Sequence, residues 1–165
     1  MKKYLFPALM TLVILCGLLL IVTPYIADWL YPASQSRLHA AKPTEVKQAL
    51  ADWFNTPVAN VSEAQALHQV AAQGNTSWFA FSLPRQPVEG FIRSNSLQQT
   101  TLTPEVLQQV FMTPAPPVTW WQPASLQRQT YFKGSDAQHD LALVYNAESQ
   151  RGFLLVTPHE KVKSF

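Results

Sequence analysis

The chain has 165 residues, a formal net charge of +2, 47% hydrophobic residues and a single cysteine. A charge this close to balance offers no basic face for nucleic acid, and one cysteine excludes an internal disulfide. Once the apolar N-terminal stretch is set aside, the remainder is enough for one core and not comfortably for two.

From Tyr4 to Ala27 there is no charged side chain, and most positions are Leu, Ile, Val, Phe, Met or Ala. As a helix this run is long enough to cross a hydrocarbon layer about 30 Å thick. Tyr4 and Phe6 mark one end, and Tyr25, Trp29 and Tyr31 the other, as amphipathic rings do at headgroup level. The run is too long for the core of a cleaved signal peptide, and Ile26-Ala27-Asp28 offers no small-x-small cleavage site. Leu15 precedes Cys16, where an acylated lipoprotein needs a small residue, and the glycine and early glutamate of a type IV pilin-like start are missing. Lys2 and Lys3 sit directly against the first end, which places the N-terminus in the cytoplasm. The expectation is a single-pass inner-membrane protein of bacterial type, with residues 1–27 as cytoplasmic tip and transmembrane anchor. Residues 28–43 then form a poorly ordered juxtamembrane linker, and residues 44–165 an extracytoplasmic, periplasmic domain. The ten cations beyond Ala27 balance ten acidic residues.

Within the domain, Val46, Ala49, Leu50, Trp53 and Phe54 recur at helical spacing after Thr44, a candidate N-cap, and predict an amphipathic helix with Trp53 and Phe54 inward. Ser62-Glu63-Ala64-Gln65 reads as a capping box opening a second helix, which carries Leu67, Val70 and Ala71 and stops at Gly74. Trp78-Phe79-Ala80-Phe81 lacks polar alternation and predicts a strand buried on both faces. Pro87 can open a short helix with Val88, Phe91 and Ile92. Thr103-Pro104 caps another, with Val106, Leu107, Val110 and Phe111 buried and its end before Pro114. Thr113 to Pro123 contains four prolines and predicts an extended crossing. Strands at 129–133, 140–145 and 153–157 form a terminal meander. The class is α+β, helices first and an antiparallel sheet mainly at the end.

The order of an aromatic strand, a short helix, Pro116-Pro117-Val118-Thr119-Trp120-Trp121-Gln122-Pro123 and a terminal meander resembles small bacterial envelope domains held by a lipid or a membrane helix. The resemblance covers about the last ninety residues. It implies no activity and assigns no site residue.

No Gly-x-Ser-x-Gly elbow, glycine-rich phosphate loop, Ser-x-x-Lys or His-Glu-x-x-His helix occurs. His68 is expected at the margin of the second helix, His139 and Asp140 on opposite faces of a strand, His39 in the linker and His159 near the tail. A zinc site joining His68, His139 and Asp140 is chemically conceivable, but no spacing selects it, and no cofactor is implied. Trp120 and Trp121 are the candidate binding residues: an indole shown to solvent stacks on sugar rings or anchors a protein interface. The competing reading has both indoles closing the core. Adjacent residues in an extended segment face opposite ways, so one is expected inside and the other partly exposed. Three functions fit these features. The first is a membrane-anchored binding or scaffolding module with a protein or glycan partner in the envelope. The second is an immunity-type protein that binds an envelope-targeted toxin. The third is a peptidoglycan or glycan hydrolase in which His68, His139 or Asp140 converges with a carboxylate such as Glu89.

Overall fold

The structure, a computed structural model, describes residues 37–71, 74–113 and 115–159. The expected anchor at Tyr4 to Ala27 and the first part of the linker lie outside the described residues. Among the described residues, no helix is long and apolar enough to cross a membrane. The described residues form one compact unit.

The elements run in the order β1 (Arg37–Ala40), α1 (Pro43–Trp53), β2 (Glu63–Ala71), β3 (Gly74–Ser82), α2 (Arg85–Ser94), β4 (Gln98–Thr101), α3 (Pro104–Phe111), β5 (Thr130–Ser135), β6 (His139–Asn146) and β7 (Arg151–Pro158). The strands build one antiparallel seven-stranded sheet in the order β1-β2-β3-β7-β6-β5-β4. The α+β class and its antiparallel sheet are as expected from the sequence. The segregation of helices before strands is not, since α1, α2 and α3 are interleaved with strands of the same sheet.

Both faces of the sheet are covered. On one, α1 and α2 pack Val46, Leu50, Phe54, Val88 and Phe91 against Phe79, Phe81, Leu143 and Leu154. On the other, Phe111 of α3 and Trp121 and Leu126 of the following crossing pack on Trp78, Val144, Phe153 and Leu155. The strands that meet apolar layers on both sides are therefore continuously buried, over 78–82 in β3 and 141–145 in β6. The expected doubly buried aromatic strand is β3, and the expected meander is β5, β6 and β7.

The second helix is corrected: Glu63–Ala71 is strand β2. Its residues have good helix propensity, but Ala64 and Ala66 face one apolar layer and Leu67 the other, and β2 is hydrogen-bonded on both sides, to β1 and β3. Tertiary pairing overrides local preference. Ser62 does not cap a helix; its backbone N–H donates to the Ser82 carbonyl at 3.2 Å and closes the end of the β2–β3 ladder. Gly74 opens β3 at φ +126° and is not a helix stop. Within the expected linker, Arg37–Ala40 is the edge strand β1, its register fixed by His39 opposite His68. Strand β4, Gln98–Thr101, has no apolar alternation to announce it.

The helices begin and end for local reasons. Pro43 stands in the first turn of α1 after Lys42, so Thr44 is inside the helix and not its cap. Thr103 does cap α3, accepting the Val106 N–H at 3.2 Å, and the helix ends at Phe111 as expected. On β7, Gly152 lies between Phe81 and Tyr145, whose stacked rings close over it. A Cβ there would meet Phe81 Cζ at 2.6 Å, so only glycine fits. The Tyr145 hydroxyl completes this corner by donating to the Leu83 carbonyl at 2.7 Å.

Candidate functional site

Beyond the ends of α1 and α2, part of the sheet face beneath these helices is left open. Helix α1 stops in a left-handed residue, Asn55 at φ +48°, with the Thr56 N–H returning to the Ala51 carbonyl at 2.9 Å. Helix α2 stops the same way: Ser96 has φ +52°, and the Leu97 N–H donates to the Ile92 carbonyl at 2.9 Å. Trp53 from the end of α1 and Phe91 and Asn95 from the end of α2 border a groove of about 480 Å³ whose floor includes Phe79, Leu141 and Val156.

Trp53 corrects an expectation. It lies at the margin of the stripe made by Val46, Leu50, Ala51 and Phe54, and 46% of its surface is open, whereas Phe54 is buried as expected. Its indole stands edge-on to Phe79, with ring centroids 5.0 Å apart.

Two polar pairs line the groove. His68 on β2 and Ser77 on β3 are direct cross-strand partners, and His68 Nδ1 lies 2.7 Å from Ser77 Oγ. Phe79 meets the His68 ring edge-on at 5.6 Å. Burial lowers the His68 pKa from its ordinary value, and the charge of His39 on β1 lowers it further, both favouring the neutral imidazole. The second pair stands at the turn between β5 and β6. Asp136 Oδ1 accepts the N–H groups of Gln138 at 2.7 Å and His139 at 2.6 Å, which fixes the turn and holds the carboxyl below its usual range. His139 Nδ1 lies 3.3 Å from the same oxygen.

The expected candidates divide. His68 and His139 do line one groove, His68 from a strand and not from a helix. Asp140 does not join them: its Oδ1 lies 2.9 Å from His159 Nδ1. Glu89 is taken up by Arg85 on the exposed side of α2. Among the described residues, no group of three or more His, Cys, Asp or Glu could hold a metal ion. Trp121 is 4% exposed, packs edge-on against Phe153 and donates its Nε1–H to the Phe111 carbonyl at 2.8 Å. Trp120 is half-buried and borders a separate hollow of about 510 Å³ with Gln65 and Arg151. The asymmetry expected of an extended segment is present.

Ser77, Trp53 and Asp136 were not singled out by sequence as site residues. The signal for Ser77 was available in the alternation from Ala64 to Val70: read as a strand, it forms a tight hairpin with β3 that sets His68 opposite Ser77. No family model, curated protein or solved structure matches the chain.

Proposed function

We propose that the chain is a membrane-tethered binding module of the cell envelope. In this reading the run from Tyr4 to Ala27 is the anchor in the inner membrane, and the domain from Ser36 lies on the periplasmic side. The uncharged length of that run supports the anchor, and Lys2 and Lys3 directly against it support the orientation.

The observation that carries the binding reading is the groove beneath Trp53. An apolar hollow of about 480 Å³ with a few convergent polar groups has the size and make-up of a small-ligand site. A Trp with 46% of its surface open beside it adds a flat apolar wall. The occupant that fits is an apolar group, alkyl or aryl, attached to a polar function that can reach His68, Ser77 or His139. Trp120, beside the second hollow, is a second candidate contact for a protein or glycan partner.

Membrane retention and orientation are tested together. The full chain should stay in the membrane fraction after carbonate washing, and protease added outside spheroplasts should digest the domain. A soluble mature form starting near Asp28 would contradict the anchor, and a domain protected until the membrane is opened would contradict the orientation.

A further inference from the structure

We infer that Ser77 and His68 form a nucleophile and general-base pair that transfers the acyl group of an apolar carboxylic ester, first to Ser77 and then to water. The inference rests on the groove being a ligand site.

A serine hydroxyl is a weak nucleophile unless a base within hydrogen-bond reach takes its proton. Ser77 Oγ and His68 Nδ1 are 2.7 Å apart, and the pair is fixed by the backbone register of β2 against β3. With the ring proton on Nε2, Nδ1 accepts the hydroxyl proton. The contact with Phe79 orients the imidazole, and its partial burial favours the neutral form a base requires. Both side chains line the groove, where Trp53, Phe79, Phe91 and Val156 offer apolar surface to an acyl chain. Strand β3 is interior to the sheet, between β2 and β7, so its backbone is engaged in ladders on both sides. The donor for a developing oxyanion must then be a side chain. Asn75, two positions along the same strand face and lining the same groove, supplies an amide for that role.

In the first step Ser77 Oγ bonds to the ester carbonyl carbon while its proton passes to His68 Nδ1. The carbon–oxygen bond to the alcohol then breaks, and the imidazolium returns the proton to the departing alkoxide. Acyl-Ser77 and a free alcohol result. In the second step water attacks the acyl carbon and gives a proton to His68. The bond to Ser77 Oγ breaks, that oxygen recovers the proton, and a carboxylic acid leaves. No redox partner is required.

The test uses the purified full chain in detergent, with an alkyl fluorophosphonate as covalent probe and an unreactive carboxamide of the same chain length as binding probe. Peptide mass spectrometry on the native chain should find the phosphonyl adduct on Ser77. His68→Gln, folded by circular dichroism, should form it at least tenfold more slowly. Carboxamide binding, read as a saturable change in Trp fluorescence, should be found in the native chain. Carboxamide bound without any adduct on Ser77 would overturn the chemistry and leave the groove reading standing. Neither adduct nor carboxamide binding would overturn both. An adduct on Ser77 that forms equally fast in His68→Gln would overturn the role of His68.

Discussion

Trp53, in the last turn of α1, meets Phe79 in the middle of β3 in a T-shaped ring contact, yet the strand residue is 3% exposed and the helix residue 46%. The two rings share one contact and divide its roles, Phe79 sealing the core and Trp53 leaving a face open to the groove.

Their substitutions should therefore separate. Phe79→Ala empties a buried site and should cost about 3–5 kcal/mol. Trp53→Ala removes a contact at the margin of the helix stripe and should cost less than about 1.5 kcal/mol. Urea unfolding of both variants checks the difference, and equal costs would mean that Trp53 is a core residue.

Trp121 and Trp120 should differ in the same direction on the other face of the sheet. Trp121→Ala removes a buried indole and leaves the Phe111 carbonyl without its donor, at about 3–5 kcal/mol. Trp120→Ala should stay below about 1.5 kcal/mol, because its ring is only half-buried against the cluster. The melting temperatures of the two variants decide this, and equal, severe losses would remove Trp120 as a candidate contact.

His68 gives stability a defined pH dependence. Its folded pKa lies below the ordinary value of 6.5, so the unfolded chain binds the proton first as pH falls. Above that value both states are neutral and the group contributes nothing. Below it the unfolded state gains, and stability falls until the folded pKa is passed. His68→Gln should therefore lose less stability than the native chain between pH 7 and pH 5. Denaturant titrations at the two pH values measure this, and an identical loss in both proteins would contradict a lowered His68 pKa.

What could be read from the sequence follows from how local each signal is. Thr103-Pro104 carries its own cap, and Trp78 to Phe81 carries its own apolarity, so α3 and β3 were legible. Glu63 to Ala71 was not, because alanine, glutamate and glutamine favour a helix and the decisive factor is pairing with β1 and β3. The candidate site depended on that strand. With β2 misread as a helix, His68 faced no partner, and Ser77 was only the start of the next element. Trp53 was misplaced for a smaller reason: it lies at the edge of a helical stripe, where spacing alone does not separate half-buried from buried.

The groove as a ligand site is tested most directly by amide chemical-shift mapping. The isotopically labelled chain starting at Ser36 would be titrated with hexanamide and with phenylacetamide, an alkyl and an aryl probe each bearing a polar amide. Saturable shifts should cluster at Trp53, His68, Ser77, Phe91 and His139 and should vanish in Trp53→Ala. Shifts absent from these residues, or gathered around Trp120, would contradict the assignment of the groove as the binding site.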